Sequence, residues 1–207
     1  MESLPQDRLT TLKKGASHRF AAAVIGGSAG GICAVTTILS ALPASFPLPV
    51  VVVLHQSPDQ TPCWVAYLGE QARLPVTEAE DKMPLVPGTV YCAPPAYHLL
   101  LETDGTLALS VDEKVNFARP SIDLLFSSGA DAFGGALIGI VLTGANRDGA
   151  SGLAEIAAAG GLAMVQSSRT AEWPTMPEAA LQAVPGALVV DLEDIAKTLV
   201  RLTGRGN

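Results

Sequence analysis

The chain has 207 residues, a length that suits one sizeable α/β domain better than two. Hydrophobic residues make up 48% and charged residues 16%, which excludes global disorder and allows a packed core without staples. The net charge of −7, with no Lys/Arg cluster or basic stripe, argues against nucleic-acid binding.

The longest strongly apolar stretch, Leu48 to Leu54, contains Pro49 and is far too short to span a bilayer, so no membrane insertion is expected. No apolar signal region precedes Phe20, and the expected location is the cytoplasm. Cys33, Cys63 and Cys92 are odd in number and lack CxxC spacing. They are expected to be buried or half-buried thiols, with no disulfide framework and no metal site.

Residues 1–19 are polar and aperiodic and are read as a flexible lead; the domain is expected over 20–204. From Phe20 onwards strand and helix patterns alternate. A strand is predicted over Ala21 to Ile25, ending at Gly26-Gly27, then a helix from Gly30 to Leu42 closed by Pro43. The run PVVVVL, Pro49 to Leu54, reads as a strand buried on both faces, as in parallel sheets. A helix follows over Thr61 to Ala72. Short strands are predicted at Val76 to Glu78, Thr89 to Cys92, His98 to Glu102 and Leu107 to Ser110. With Pro-Gly and Asp-Gly turns between them, they read as an antiparallel hairpin excursion at one edge of the sheet.

The alternation then resumes. Helices are predicted at Ser121 to Ala132 (Ser121 as N-cap), Gly149 to Ala159, Pro177 to Val184 and Leu192 to Leu202. Strands are predicted at Ala136 to Leu142, Leu162 to Gln166 and Ala187 to Val190. In the last helix, Leu192, Ile195, Leu199 and Leu202 share one face. The pattern implies an α/β fold with a doubly wound, mostly parallel sheet and helices on both faces. Ligands of such sheets bind in the crevice beyond the carboxyl ends of the strands.

Three strand ends carry reactive side chains. The first runs Gly26-Gly27-Ser28-Ala29-Gly30-Gly31, a G-x-S-x-G turn between strand and helix. Such a turn lifts a serine hydroxyl over the sheet edge, beside helix N–H groups able to meet an oxyanion. The same turn also reads as a phosphate cradle or a helix cap, although Ser28 stands where a dinucleotide fingerprint needs glycine and no Walker lysine is present. His55 directly follows the second strand and is expected to reach the same crevice. His18 lies in the lead and His98 begins a strand of the excursion, so neither is as well placed. Asp148, in TGANRDGA, follows a third strand and precedes a helix. It reads either as a helix cap or as the carboxylate that fixes the His55 tautomer and stabilises its imidazolium. Ser, His and Asp from three separate strand ends are a more specific signal than any one alone.

VIGGSAGG, VVVVLHQSP, EAEDKMPLVPGTVYCAP, HLLLE, ARPSIDLLF, VLTGANRDGASGL, MVQ and TMPEAAL together resemble the catalytic domain of the chemotaxis protein-glutamate methylesterase, CheB, over residues 20–200. The resemblance implies Ser28 as nucleophile, His55 as general base and Asp148 as its orienting carboxylate. It places the oxyanion hole at the backbone N–H groups of Ala29 and Ala145. It further implies hydrolysis of glutamyl γ-methyl esters on methyl-accepting chemotaxis receptors, with glutamine deamidation as a second activity and no cofactor. Arg119 is then a candidate contact for an acidic substrate surface, beside its reading as a structural arginine at a helix start. Met176 and Pro177 are candidate walls of the site, beside ordinary packing. The chain departs from the family pattern at Ala145 and Asn146, where members often carry Met and Gly, and at Gln56, where they often carry Met. Residues 1–19 are too few for the family's phospho-receiver domain, so either constitutive activity or a separate regulator in trans is expected in place of control in cis. The rival function is a catalytically silent module that docks a receptor or signalling partner.

Overall fold

The computed structural model describes residues 20–55 and 63–204. Strand and helix alternate along them much as the hydrophobic pattern predicts. The strands are β1 (Ala22–Gly27), β2 (Val50–Leu54), β3 (Val76–Glu78), β4 (Val90–Cys92), β5 (His98–Leu101), β6 (Leu107–Ser110), β7 (Leu137–Val141), β8 (Leu162–Gln166) and β9 (Leu188–Val190). The helices are α1 (Gly31–Ala41), α2 (Cys63–Gln71), α3 (Ile122–Phe133), α4 (Ala150–Ala158), α5 (Thr175–Ala183) and α6 (Leu192–Thr203). None among the described residues is long and apolar enough to cross a membrane.

Seven strands form one sheet in the order β3-β4-β2-β1-β7-β8-β9, every pair parallel. β1, β2 and β7 are buried at every position, which is why their sequences are continuous apolar runs rather than alternations. One face of the sheet packs on α1, α2 and α6 through residues such as Ile38, Leu68 and Leu199. The other packs on α3, α4 and α5 through Phe126, Ile156 and Ala180. In α6, Ile195 and Leu199 of the predicted face are buried, with Leu192 and Leu202 partly so.

Two expectations need correction. β3 and β4 are not part of an antiparallel excursion: they join the main sheet in parallel, and among the described strands only β5 and β6 pair antiparallel, as a separate two-stranded sheet. A three-residue strand carries no directional signal, and the segment between β3 and β4 is long enough to return the chain to the same end of the sheet. Cys33 is exposed rather than buried, because it lies on the outer side of α1. Cys92 is buried in β4, where burial and the Glu78 charge push its thiol up.

The chain leaves β1 for β2 on one side, while β7 lies on the other. The carboxyl ends of β1 and β7 therefore diverge in their connections and open a crevice between them. Ser28 follows β1, His55 follows β2, and the loop 142–149 follows β7.

Candidate active site

The turn after β1 is clamped by the loop after β7. Ser28 N–H donates to Thr143 O at 2.9 Å, and Thr143 Oγ1 donates to Ala29 O at 3.0 Å. Thr143 is itself held from behind, its N–H by Gln166 Oε1 at 2.9 Å and its hydroxyl by Trp173 N–H at 2.8 Å. The sharp bend falls on Gly30, whose φ of 75° suits a residue without Cβ. Ser28 itself stays outside the left-handed region. The helix α1 starts immediately after, its first N–H, that of Gly31, bonded back to Ser28 O at 2.8 Å.

Asp148 does not cap the helix that follows it. Gly149 is the N-cap of α4 and makes no side-chain bond there. The carboxylate turns instead to the N-terminus of α3, more than twenty residues earlier. Its Oδ2 accepts Ile122 N–H at 2.8 Å; its Oδ1 accepts Asp123 N–H and Ser121 Oγ–H, both at 3.1 Å. Gly149 N–H and Asn116 Nδ2 add bonds to Oδ1 at 3.1 and 3.3 Å. Asp123 returns the service by accepting Gly152 N–H of α4 at 2.8 Å, so α3 and α4 cap each other. This closeness requires a small residue, since a Cβ on Gly152 would lie 2.6 Å from Phe126 Cβ; α3 sits as tightly on β1, where a Cβ on Gly26 would lie 2.2 Å from Ile122. Ser121 caps α3 as predicted, accepting Leu124 N–H at 3.4 Å.

The remaining donor to Asp148 Oδ2 is His55 Nε2, at 2.8 Å. Asp148 is fully buried, and burial alone would raise its pKa. The hydrogen bonds from His55, Ile122 and Asp123 outweigh that cost and lower the carboxyl to about 2. Its neighbour Asp123 moves the other way, raised by burial and by the negative charge of Asp148. An ionised Asp148 keeps the His55 proton on Nε2 and leaves Nδ1 as the basic atom. On that side Asn146 Nδ2 lies 3.1 Å from Nδ1.

Ser28 and His55 line one cavity of about 480 Å³, together with Asn116, Phe117, Arg119 and Asn146. The N–H groups of Ala29 and Ala145 meet no protein acceptor among the described residues. Arg119 borders the cavity but spends Nη1 on Val111 O and Asp112 O, bracing the loop before α3. Met176 does not reach the cavity surface: it is fully buried beneath Gly144, where a Cβ would lie 2.6 Å from its Cε. It backs the loop that carries Ala145, and Pro177 is likewise buried. The rim carries Phe117, 97% exposed at the tip of a tight turn with φ of 51° and 63° at Asn116 and Phe117. Among the described residues no cluster of three or more His, Cys, Asp or Glu could hold a metal ion.

The arrangement has counterparts. The CheB methylesterase family model matches residues 23–199. The chain belongs to the CheB methylesterase family. A Leptospira interrogans protein provisionally named a protein-glutamate methylesterase/protein-glutamine glutaminase is 46% identical over 183 residues, covering 88% of this chain and 95% of its own. The Myxococcus xanthus protein-glutamate methylesterase FrzG is 36% identical over 177 residues, covering 86% of this chain and 53% of its own. The crystal structure of the Thermotoga maritima CheB methylesterase catalytic domain superposes with a TM-score of 0.83 at 32% identity, over 87% of this chain and 97% of that one. Membership sets aside the phosphate-cradle reading of the glycine turn.

Within this CheB methylesterase fold, sequence reasoning overlooked Ser121 and Asn116 as partners of Asp148, and Thr143 with Gln166 as the clamp on the serine turn. No local signal marks such long-range partners. The Asn146 contact had one: Asn two residues before Asp148 is the pattern of an Asx turn, and Oδ1 does accept Asp148 N–H at 3.0 Å.

Proposed function

We propose that the chain is a serine hydrolase that demethylates glutamyl γ-methyl esters of methyl-accepting chemotaxis receptors, releasing methanol, and deamidates glutamine at the same positions. Ser28 is the nucleophile, His55 the general base, Asp148 its orienting carboxylate, and the N–H groups of Ala29 and Ala145 the oxyanion hole. The observation that carries the reading is the His55–Asp148 hydrogen bond of 2.8 Å opening on a cavity that Ser28 also lines.

Ser28 Oγ attacks the ester carbonyl carbon while its proton passes to His55 Nδ1. The carbonyl oxygen becomes an oxyanion, met by the two backbone donors in fixed positions. Collapse breaks the bond to the methoxy group, which leaves as methanol with the proton from His55. Water, deprotonated by His55, then hydrolyses the acyl-enzyme to a free glutamate. With glutamine the leaving group is ammonia and every other step is shared, which accounts for the paired names of the relatives. Phe117 on the rim offers an apolar contact to the flank of a substrate helix, and Arg119 a cationic edge for its neighbouring carboxylates.

A cytoplasmic location and control by a separate protein in trans belong to the same reading. The test is methanol release from a methyl-labelled receptor by wild type and Ser28→Ala, with fluorophosphonate labelling in parallel. Wild type should react and label; Ser28→Ala should do neither while keeping its fold. Labelling or methanol release that survives in Ser28→Ala removes Ser28 from the mechanism.

A further inference from the structure

Asn146 lies where the loop after β7 passes His55, and its amide orientation is fixed by the backbone. Asp148 N–H can only donate, so the Asn146 atom 3.0 Å from it is the oxygen. The nitrogen then points at the ring, 3.1 Å from His55 Nδ1. An amide nitrogen only donates, so Nδ1 carries a lone pair and the ring proton sits on Nε2, facing Asp148. The bonds close a circuit from Asp148 N–H through Asn146 and His55 back to the Asp148 carboxylate. No hydrogen bond joins Ser28 Oγ to the ring among the described residues.

We propose that Asn146 is a latch on the general base, holding the Nδ1 lone pair at rest and releasing it at every turnover. The proposal rests on the reading of His55 as base to Ser28. Nδ1 has one lone pair, and Asn146 occupies it. Once Nδ1 takes the Ser28 proton it becomes a donor itself, and two N–H groups then face each other. The amide has to swing out of the way, which it is free to do because Asn146 is exposed at the cavity mouth. The bond stabilises the state before proton transfer and not the state after it, so it slows the step. Its removal should accelerate acylation roughly two- to tenfold, the worth of one neutral hydrogen bond. Asn146 is thus a positioning residue, acting through His55 without touching the reacting carbon.

Two variants test this. Asn146→Ala removes both bonds. Asn146→Ser keeps an oxygen for Asp148 N–H, as serine does in such turns, but is one bond too short to reach the ring. The rate of fluorophosphonate labelling at Ser28 is measured alongside the ¹⁵N resonances of the His55 ring. Both variants are expected to label two- to tenfold faster, on the same estimate of one hydrogen bond. In Asn146→Ser the Nδ1 resonance should move towards that of a free lone pair while Nε2 stays protonated. Labelling at or below the wild-type rate in Asn146→Ser, or an unmoved Nδ1 resonance, overturns the latch and leaves the Ser28–His55 reading standing. Absence of Ser28 labelling in wild type removes both.

Discussion

Among the described residues two histidines have both ring nitrogens engaged, and their settings differ in kind. His98, at the start of β5, is fully buried; its Nδ1 accepts Ser121 N–H at 3.2 Å and its Nε2 donates to Glu113 O at 3.0 Å. Both partners are backbone groups and cannot leave. His55 is 14% exposed and held by side chains, a buried carboxylate on one nitrogen and a surface amide on the other. The first setting fixes a neutral ring as a spacer between the loop before α3 and the hairpin. The second fixes one nitrogen firmly and leaves the other negotiable, which is what a proton carrier needs. Hydrogen-bond count alone does not separate a structural histidine from a working one; the mobility of the partners does.

The largest test of that contrast is His55→Ala. Methanol release should fall on the order of 10⁶-fold, since a triad acts as a unit. A residual rate within a few-fold of wild type would reduce His55 to a structural residue like His98. Asp148→Asn comes next. The asparagine amide presents a donor to Nε2, forces the wrong tautomer and should cost on the order of 10⁴ in rate.

The same substitution has a stability signature. The folded Asp148 pKa, about 2, lies below its ordinary 3.8. Its contribution, about 2 kcal/mol, is therefore complete above the unfolded value and disappears as pH falls through the folded one. Urea midpoints of wild type should drop more steeply than those of Asp148→Asn as pH falls from about 4 to about 2. Parallel curves would mean that the carboxylate does not anchor α3.

His98→Ala should show the mirror image. It leaves the buried Ser121 N–H without its acceptor and opens a cavity, costing roughly 2–4 kcal/mol in urea unfolding. Turnover of the folded fraction should remain near wild type; a collapse in kcat at full folding would make His98 part of the chemistry. Gly152→Ala is the mildest test. The new methyl group forces α3 and α4 apart, for roughly 1–3 kcal/mol. Because Asp148 is aimed through that contact, kcat should fall as well, and an unchanged kcat would show that the two caps tolerate slack.

Much of this was legible in the sequence for identifiable reasons. Continuous apolar runs at Val50 to Leu54 and Leu137 to Val141 announce strands covered on both faces, and strand ends announce the crevice. Ser28, His55 and Asp148 were therefore nameable as neighbours before any coordinates. The partners of Asp148 were not, because Ser121, Ile122 and Asp123 meet it only through the packing of α3 on α4, a contact no periodicity encodes. Met176 misled for the opposite reason: its place next to a site loop is real, but burial turns it into support rather than lining.

The mutual capping of α3 and α4 also bears on how such a protein ages over generations. Among the described residues no hydrogen bond uses the Ser28 hydroxyl, so a lineage released from selection for turnover can discard it freely. Asp148 and Asp123 hold two helix starts together and would be kept by selection for folding alone. In a retired descendant of this chain, the aspartate would outlast the serine. Retention of the carboxylate is thus weak testimony to activity, and the fate of the serine hydroxyl is the strong one.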